Sequence, residues 1–108
     1  MTRFSTTIAA ALAAALSVGP AFASQKLAQE RGCIECHKLD VDGPQGPSFK
    51  KIAILYRGLP AADVKPKLVH KVRVGGTEHW GTNVMPPQSY KVSDSQARKL
   101  VDWCLTVK

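Results

Sequence analysis

Cys33-Ile34-Glu35-Cys36-His37 limits what this chain can fold into more than any other stretch of it. Two thiols separated by two residues, with a histidine directly after the second, form the C-x-x-C-H pattern of covalent haem attachment. Each thiol adds across one vinyl group of the porphyrin to give a thioether. The histidine then lies near the ring plane, where an imidazole nitrogen can become the proximal ligand of the iron. Two plainer readings use the same cysteines, a thioredoxin-like redox dithiol and one half of a zinc site. A redox dithiol belongs after a strand in a β/α context, and the chain shows no strand-like alternation. A four-ligand zinc site needs a second ligand pair, and none stands out.

The start of the chain supports attachment outside the cytoplasm. Residues 1–23 carry Arg3 in a short basic start, an apolar stretch from Ile8 to Val18, Pro20, and then Ala21-Phe22-Ala23, an A-x-A cleavage pattern. The apolar part is too short to span a bilayer comfortably, an uncleaved anchor being the alternative. The lack of Arg-Arg argues against twin-arginine export. The expected product is a periplasmic domain, Ser24 to Lys108; removing 23 of the 108 residues leaves 85, with no later segment able to cross a membrane. A chain that short needs disulfides, a metal or a cofactor to be stable. Its cysteines are Cys33, Cys36 and Cys104. If two of them hold haem, no internal disulfide remains, and the haem has to supply much of the core.

The mature chain reads as an all-α domain, about four short helices and loops wrapped around one covalent haem. Ser24 is expected to cap a helix over Gln25–Arg31 that ends at Gly32. A Gly/Pro-rich loop follows, Asp40–Pro47. Ser48 caps Phe49–Arg57, in which Phe49, Ile52, Ala53 and Tyr56 make the buried stripe. A third helix spans Ala62–Val74, where Pro66 is tolerable only in the first turn. Val64, Leu68 and Val72 (or Leu68, Val69 and Val72) form its apolar face, and Gly75-Gly76 stops it. Thr77–Val92 has no helical period and reads as a structured loop. Ser93 to Gln96 is a capping box opening a last helix, Asp94 to about Val107.

After leader removal Met85 is the sole methionine, and it is followed by two prolines that stiffen its loop. A thioether as second axial ligand favours ferrous iron and raises the potential, which suits an electron carrier. Methionine is more commonly core filler, and His70 and His79 are rival ligands.

CIECH at 33–37, GPSF at 46–49, GGTEHWGTNVMPP at 75–87 and QARKLVDWCLTVK at 96–108 together resemble a class I monohaem cytochrome c of the small bacterial type. They span nearly the whole mature chain in that family's order, and the W-G-x-x-x-M-P-P stretch is the most specific part. The resemblance implies one haem c, bound through Cys33 and Cys36, with His37 and Met85 on the iron. It implies that the Pro47 carbonyl accepts from the His37 ring, with Gly43-Pro44 as a decoy that lacks the following hydrophobic residue. It also implies that Trp80 donates its indole N–H to a haem propionate. Lys71 stands where the family often has a basic residue near a propionate, or is one more solvated lysine. Two departures stand out. Gln88–Lys91 lengthens the loop after Met85, and Cys104 replaces a usual aliphatic residue.

Formal charge is +7, and losing Arg3 would leave +6. The basic residues are too dispersed for nucleic-acid binding, which export also disfavours. A basic surface suits docking of this monomeric protein onto an acidic redox partner, while simple solubility is the plainer reading. The chain is expected to be a one-electron carrier and not an enzyme. The alternatives are a haem subunit of a larger dehydrogenase complex and an open-site haem protein of peroxidase-like or gas-binding type. Cys104 shares the spacing of Ala97, Leu100 and Val101, so it belongs to the buried stripe of the last helix and not to a covalent dimer. In the family that helix crosses the first one near the glycine before the haem motif, which puts Cys104 close to Gly32.

Overall fold

The first turn of every helix leaves backbone donors unpaired, and this chain meets that need with prolines and serines. The computed structural model describes residues 19–77 and 83–108. Its elements are α1 (Pro20–Glu30), a 3₁₀ turn (Cys33–Glu35), α2 (Phe49–Tyr56), α3 (Ala61–Val74) and α4 (Asp94–Cys104). Among the described residues the only β pairing is an isolated bridge between Gly76 and Met85.

Two helices start where expected. Ser48 Oγ accepts from Lys51 N at 3.0 Å to open α2. Ser93 opens α4 with a reciprocal capping box: Gln96 N donates to Ser93 Oγ, and Ser93 N to Gln96 Oε1, both at 3.1 Å. Val92 before the cap and Ala97 four residues after it are both fully buried in one cluster, the pattern of a hydrophobic staple.

Five boundaries differ from expectation; α1 ends at Glu30 and α2 at Tyr56, each one residue early, and the other three have consequences. Helix α1 begins at Pro20, with no cap at Ser24. Proline is favoured in the first helical position, and nothing in Ala21-Phe22-Ala23 opposes continuation. Residues 21–23 lie exposed, whereas Ala28 further on is fully buried. Helix α3 begins at Ala61, which puts Pro66 beyond the first turn. The Ala62 carbonyl therefore lacks its helical donor, a local loss that packing of the rest of α3 outweighs. Helix α4 stops at Cys104, short of Val107. Thr106 N to Trp103 O at 2.9 Å and Val107 N to Cys104 O at 3.2 Å tighten the end into a three-residue turn, and Arg57 donates to the Val107 carbonyl.

Helix α4 is the hub, packing on α1, α2 and α3. Ala97, Leu100, Val101 and Cys104 are buried as their spacing predicts. Trp103 joins them and meets Phe49 edge-on, with ring centroids 4.9 Å apart. On α2, Phe49 and Ala53 are buried while Ile52 and Tyr56 are half-buried. On α3, Val64 and Val69 face inward, and Leu68 and Val72 are only half-buried. Lys65 reaches Asp102 at 2.8 Å across the α3–α4 contact.

The apolar residues left on the fringe of this core are informative. Leu27, Cys33, Ile52, Leu68, Val72 and Leu105 pack against the cluster without being covered. Val92 is the one large side chain that is fully enclosed among the described residues. Polypeptide alone thus makes a thin core, as the length of the chain requires.

Candidate functional site

Gly32, at φ +75, turns the chain out of α1 into the 3₁₀ turn that starts at Cys33 and is capped by Cys36. Glu35 N donates to Gly32 O at 3.1 Å and His37 N to Cys33 O at 2.9 Å, so Cys33, Cys36 and His37 are held by one short set of backbone bonds. Cys33 and Cys36 are unpaired and half-buried. Burial pushes the Cys33 thiol above its ordinary range, with the Lys91 ammonium acting against it. The Cys36 thiol donates to Gln45 Oε1 at 3.1 Å, a bond that a thioether sulfur has no proton to make.

The His37 ring is aimed by its neighbours. Its Nδ1 lies 2.8 Å from the Pro47 carbonyl oxygen. That oxygen can only accept, so Nδ1 carries a proton and, in the neutral ring, the lone pair is on Nε2. Phe49 flanks the ring at 5.4 Å between centroids. Gly46 is needed where the chain passes the ring, since a Cβ there would meet His37 Cε1 at 3.1 Å and the Cys36 carbonyl at 3.3 Å. The Pro44 carbonyl is instead taken by Asn83 Nδ2, which ties this loop to the segment leading into Met85.

The backbone of the 38–48 loop is anchored on the start of α2. Phe49 N donates to Lys38 O at 2.9 Å and Lys50 N to Leu39 O at 3.0 Å. Ser48 N donates to Asp42 Oδ1 at 2.8 Å. The second oxygen of Asp42 takes Lys51 Nζ at 3.1 Å. The Ser48 amide first, and then Lys51, hold the Asp42 carboxyl below its ordinary value.

Met85 is placed by main chain. Gly76 N donates to Met85 O at 2.9 Å, and Met85 N to Gly76 O at 3.0 Å. The approach is so close that a Cβ on Gly75, itself at φ +71, would fall 2.2 Å from the Met85 carbonyl oxygen. The extra loop residues have a use: Gln88 N and Ser89 N donate to the Val72 and Arg73 carbonyls at 3.1 and 3.2 Å, closing the C-terminal end of α3. The Met85 side chain is half-buried and His70 is exposed. Lys71 Nζ lies over Gly76, 3.1 Å from where a Cβ would stand. Trp80 and His79 lie outside the described residues.

Cys104 is buried and unpaired, and burial pushes its thiol up to about 12. The polar atom facing it is the Phe49 carbonyl at 3.9 Å. The thiol thus faces the start of α2. Among the described residues no three His, Cys, Asp or Glu side chains converge as a metal-ion site.

Sequence reasoning overlooked Asp42, Asn83 and Lys91. Asp42 had a signal. The third helical position after Ser48 is Lys51, which cannot accept from the cap's own N–H as a Glu or Gln would. Some other acceptor had to be found for it. Lys91 had none, because only folding brings it beside Cys33.

A helix hub, a thiol-bearing turn followed by an aimed imidazole, and a bridged methionine loop define a small c-type haem protein. The cytochrome c family model matches residues 22–108, and the chain belongs to that family. It is 37% identical over 90 residues to cytochrome c-552 of Hydrogenobacter thermophilus, covering 83% of this chain and 87% of that one. The crystal structure of wild-type Nitrosomonas europaea cytochrome c552 superposes with a TM-score of 0.69 at 37% identity, over 78% of this chain and 99% of that one. The class 1 cytochrome MtoD of Sideroxydans lithotrophicus ES-1 does so at 0.61 and 34%, over 79% and 92%. The fold is therefore the all-α cytochrome c fold of the small bacterial class I type. The protein is a monohaem electron carrier with one covalently bound haem c and its iron. The residues present suit that group: the cysteines are unpaired, Nε2 of His37 is left with its lone pair, and the apolar fringe is uncovered.

Proposed function

We propose that this cytochrome works in the periplasm as a monomeric one-electron shuttle with His37 and Met85 as axial ligands, after cleavage behind Ala23. The observation that carries the reading is the 2.8 Å contact between His37 Nδ1 and the Pro47 carbonyl, because it leaves Nε2 as the donor atom. Cys33, at the start of the 3₁₀ turn, and Cys36, its cap, would hold the haem through thioethers. Bound haem supplies the one-electron couple. The chain's part would be to offer the iron one ligand from His37 and one from Met85. Met85, on a loop pinned by Gly76, offers its thioether and favours the ferrous form. Trp80 and Lys71 would hold the propionates, Lys71 from its position over Gly76.

Export is supported by the leader pattern and by the exposure of residues 21–23. No helix among the described residues is long and apolar enough to cross a membrane. The net positive charge suits a partner whose docking surface is acidic.

The test is Met85→Ala in the holoprotein. Loss of the weak far-red band of methionine-bound ferric iron, rapid cyanide binding and a lowered potential are expected. An unchanged spectrum and potential would move the assignment to a histidine, and His70→Ala and His79→Ala would then identify it.

A further inference from the structure

One peptide group, Pro47–Ser48, is held at both ends. Its carbonyl oxygen is 2.8 Å from His37 Nδ1, and its N–H donates to Asp42 Oδ1 at 2.8 Å. We propose that Asp42 is a positioning residue for the proximal histidine, acting through this peptide to strengthen the bond that His37 donates and so to stabilise the ferric haem. The inference rests on His37 as the iron ligand.

The physical link is polarisation of the amide. A carboxylate drawing on the N–H end moves electron density onto the carbonyl oxygen, which becomes a better acceptor, as in any chain of hydrogen bonds. A better acceptor on Nδ1–H makes the imidazole more basic at Nε2. A more basic ligand favours the higher charge on the metal.

The structure shows three features that keep this chain intact. Ser48 is only 3% exposed and Pro47 is buried, so the peptide is shielded although the Asp42 carboxylate itself reaches solvent. Lys51 binds the other carboxylate oxygen, Oδ2, which leaves Oδ1 for Ser48. Asp42 also sits against the N-terminal end of α2, where a negative charge is favoured. The Ser48 and Lys51 contacts keep it ionised at neutral pH.

Two variants of the holoprotein separate this relay from a simple charge effect. Asp42→Asn keeps an oxygen for the Ser48 N–H but removes the charge. Asp40→Asn removes an equal charge two residues away with no bond to the peptide. Redox titration should show Asp42→Asn shifting the haem equilibrium toward the ferrous form by about threefold more than Asp40→Asn. Proton NMR should show the His37 ring N–H moving upfield in Asp42→Asn alone. Equal redox shifts in the two variants, or an unmoved ring N–H, would overturn the relay. Wild-type protein lacking haem-shifted His37 resonances would overturn the ligand assignment, and the relay with it.

Discussion

Cys104 and Asp42 show how far a residue's chemistry is set by its surroundings. Cys104 lies on the buried stripe of α4 with a thiol pushed up to about 12, so almost none of it is thiolate at neutral pH. Native holoprotein is expected to resist thiol reagents until denatured and to run as a monomer on a non-reducing gel; rapid native labelling or a reducible dimer would contradict its burial. Asp42 is shifted the other way. Its folded value lies below the ordinary 3.8, so its contribution to the 38–48 loop is complete above that pH and is lost as pH falls through the lower folded value. The Ser48 amide proton should therefore titrate with a midpoint below 3.8, and Asp42→Asn should abolish that titration.

At the scale of elements, the caps and the glycines do different work. Ser48→Ala removes the side-chain acceptor for Lys51 N, and chemical denaturation should show a loss of about 1 kcal/mol. Gly75→Ala is more severe in its target. A Cβ at φ +71 and ψ −163 costs about 1–3 kcal/mol in any chain. Here it also collides with the Met85 carbonyl, so the loop has to move. Ferric Gly75→Ala should bind cyanide far faster than wild type, whereas Ser48→Ala should not. The helices themselves were legible wherever period and cap agreed, as at Ser48 and Ser93. The limits were not. Nothing in the composition says that α1 runs back to Pro20, or that α3 tolerates Pro66 in its second turn, because packing along the whole helix decides what one lost bond matters.

The whole molecule depends on its cofactor and carries an excess of positive charge. With so little fully enclosed apolar volume, Cys33→Ala with Cys36→Ala should leave a largely disordered chain. A native-like helical spectrum with a cooperative melt would argue against haem as part of the core. Lys51, Lys65 and Arg98 are paired on the surface with Asp42, Asp102 and Asp94, and exposed pairs of this kind contribute little to stability. The remaining positive charge makes electron exchange with an acidic partner expected to slow as salt rises. A rate flat with ionic strength would leave the charge to solubility alone.

The family resemblance implied the pairing of His37 with Pro47, which the structure shows, whereas the amino-acid sequence by itself determined the attachment chemistry and the helical class. Each rests on residues close in sequence or on a period along one helix, and local covalent spacing is enough to express it. Only the tertiary structure decided that the Pro47–Ser48 peptide is shared between His37 and Asp42. It alone put Lys91 beside Cys33, joined Asn83 to Pro44, and turned Cys104 toward Phe49. Those contacts join segments that helical period does not relate, and they exist because α4 gathers the other helices around it.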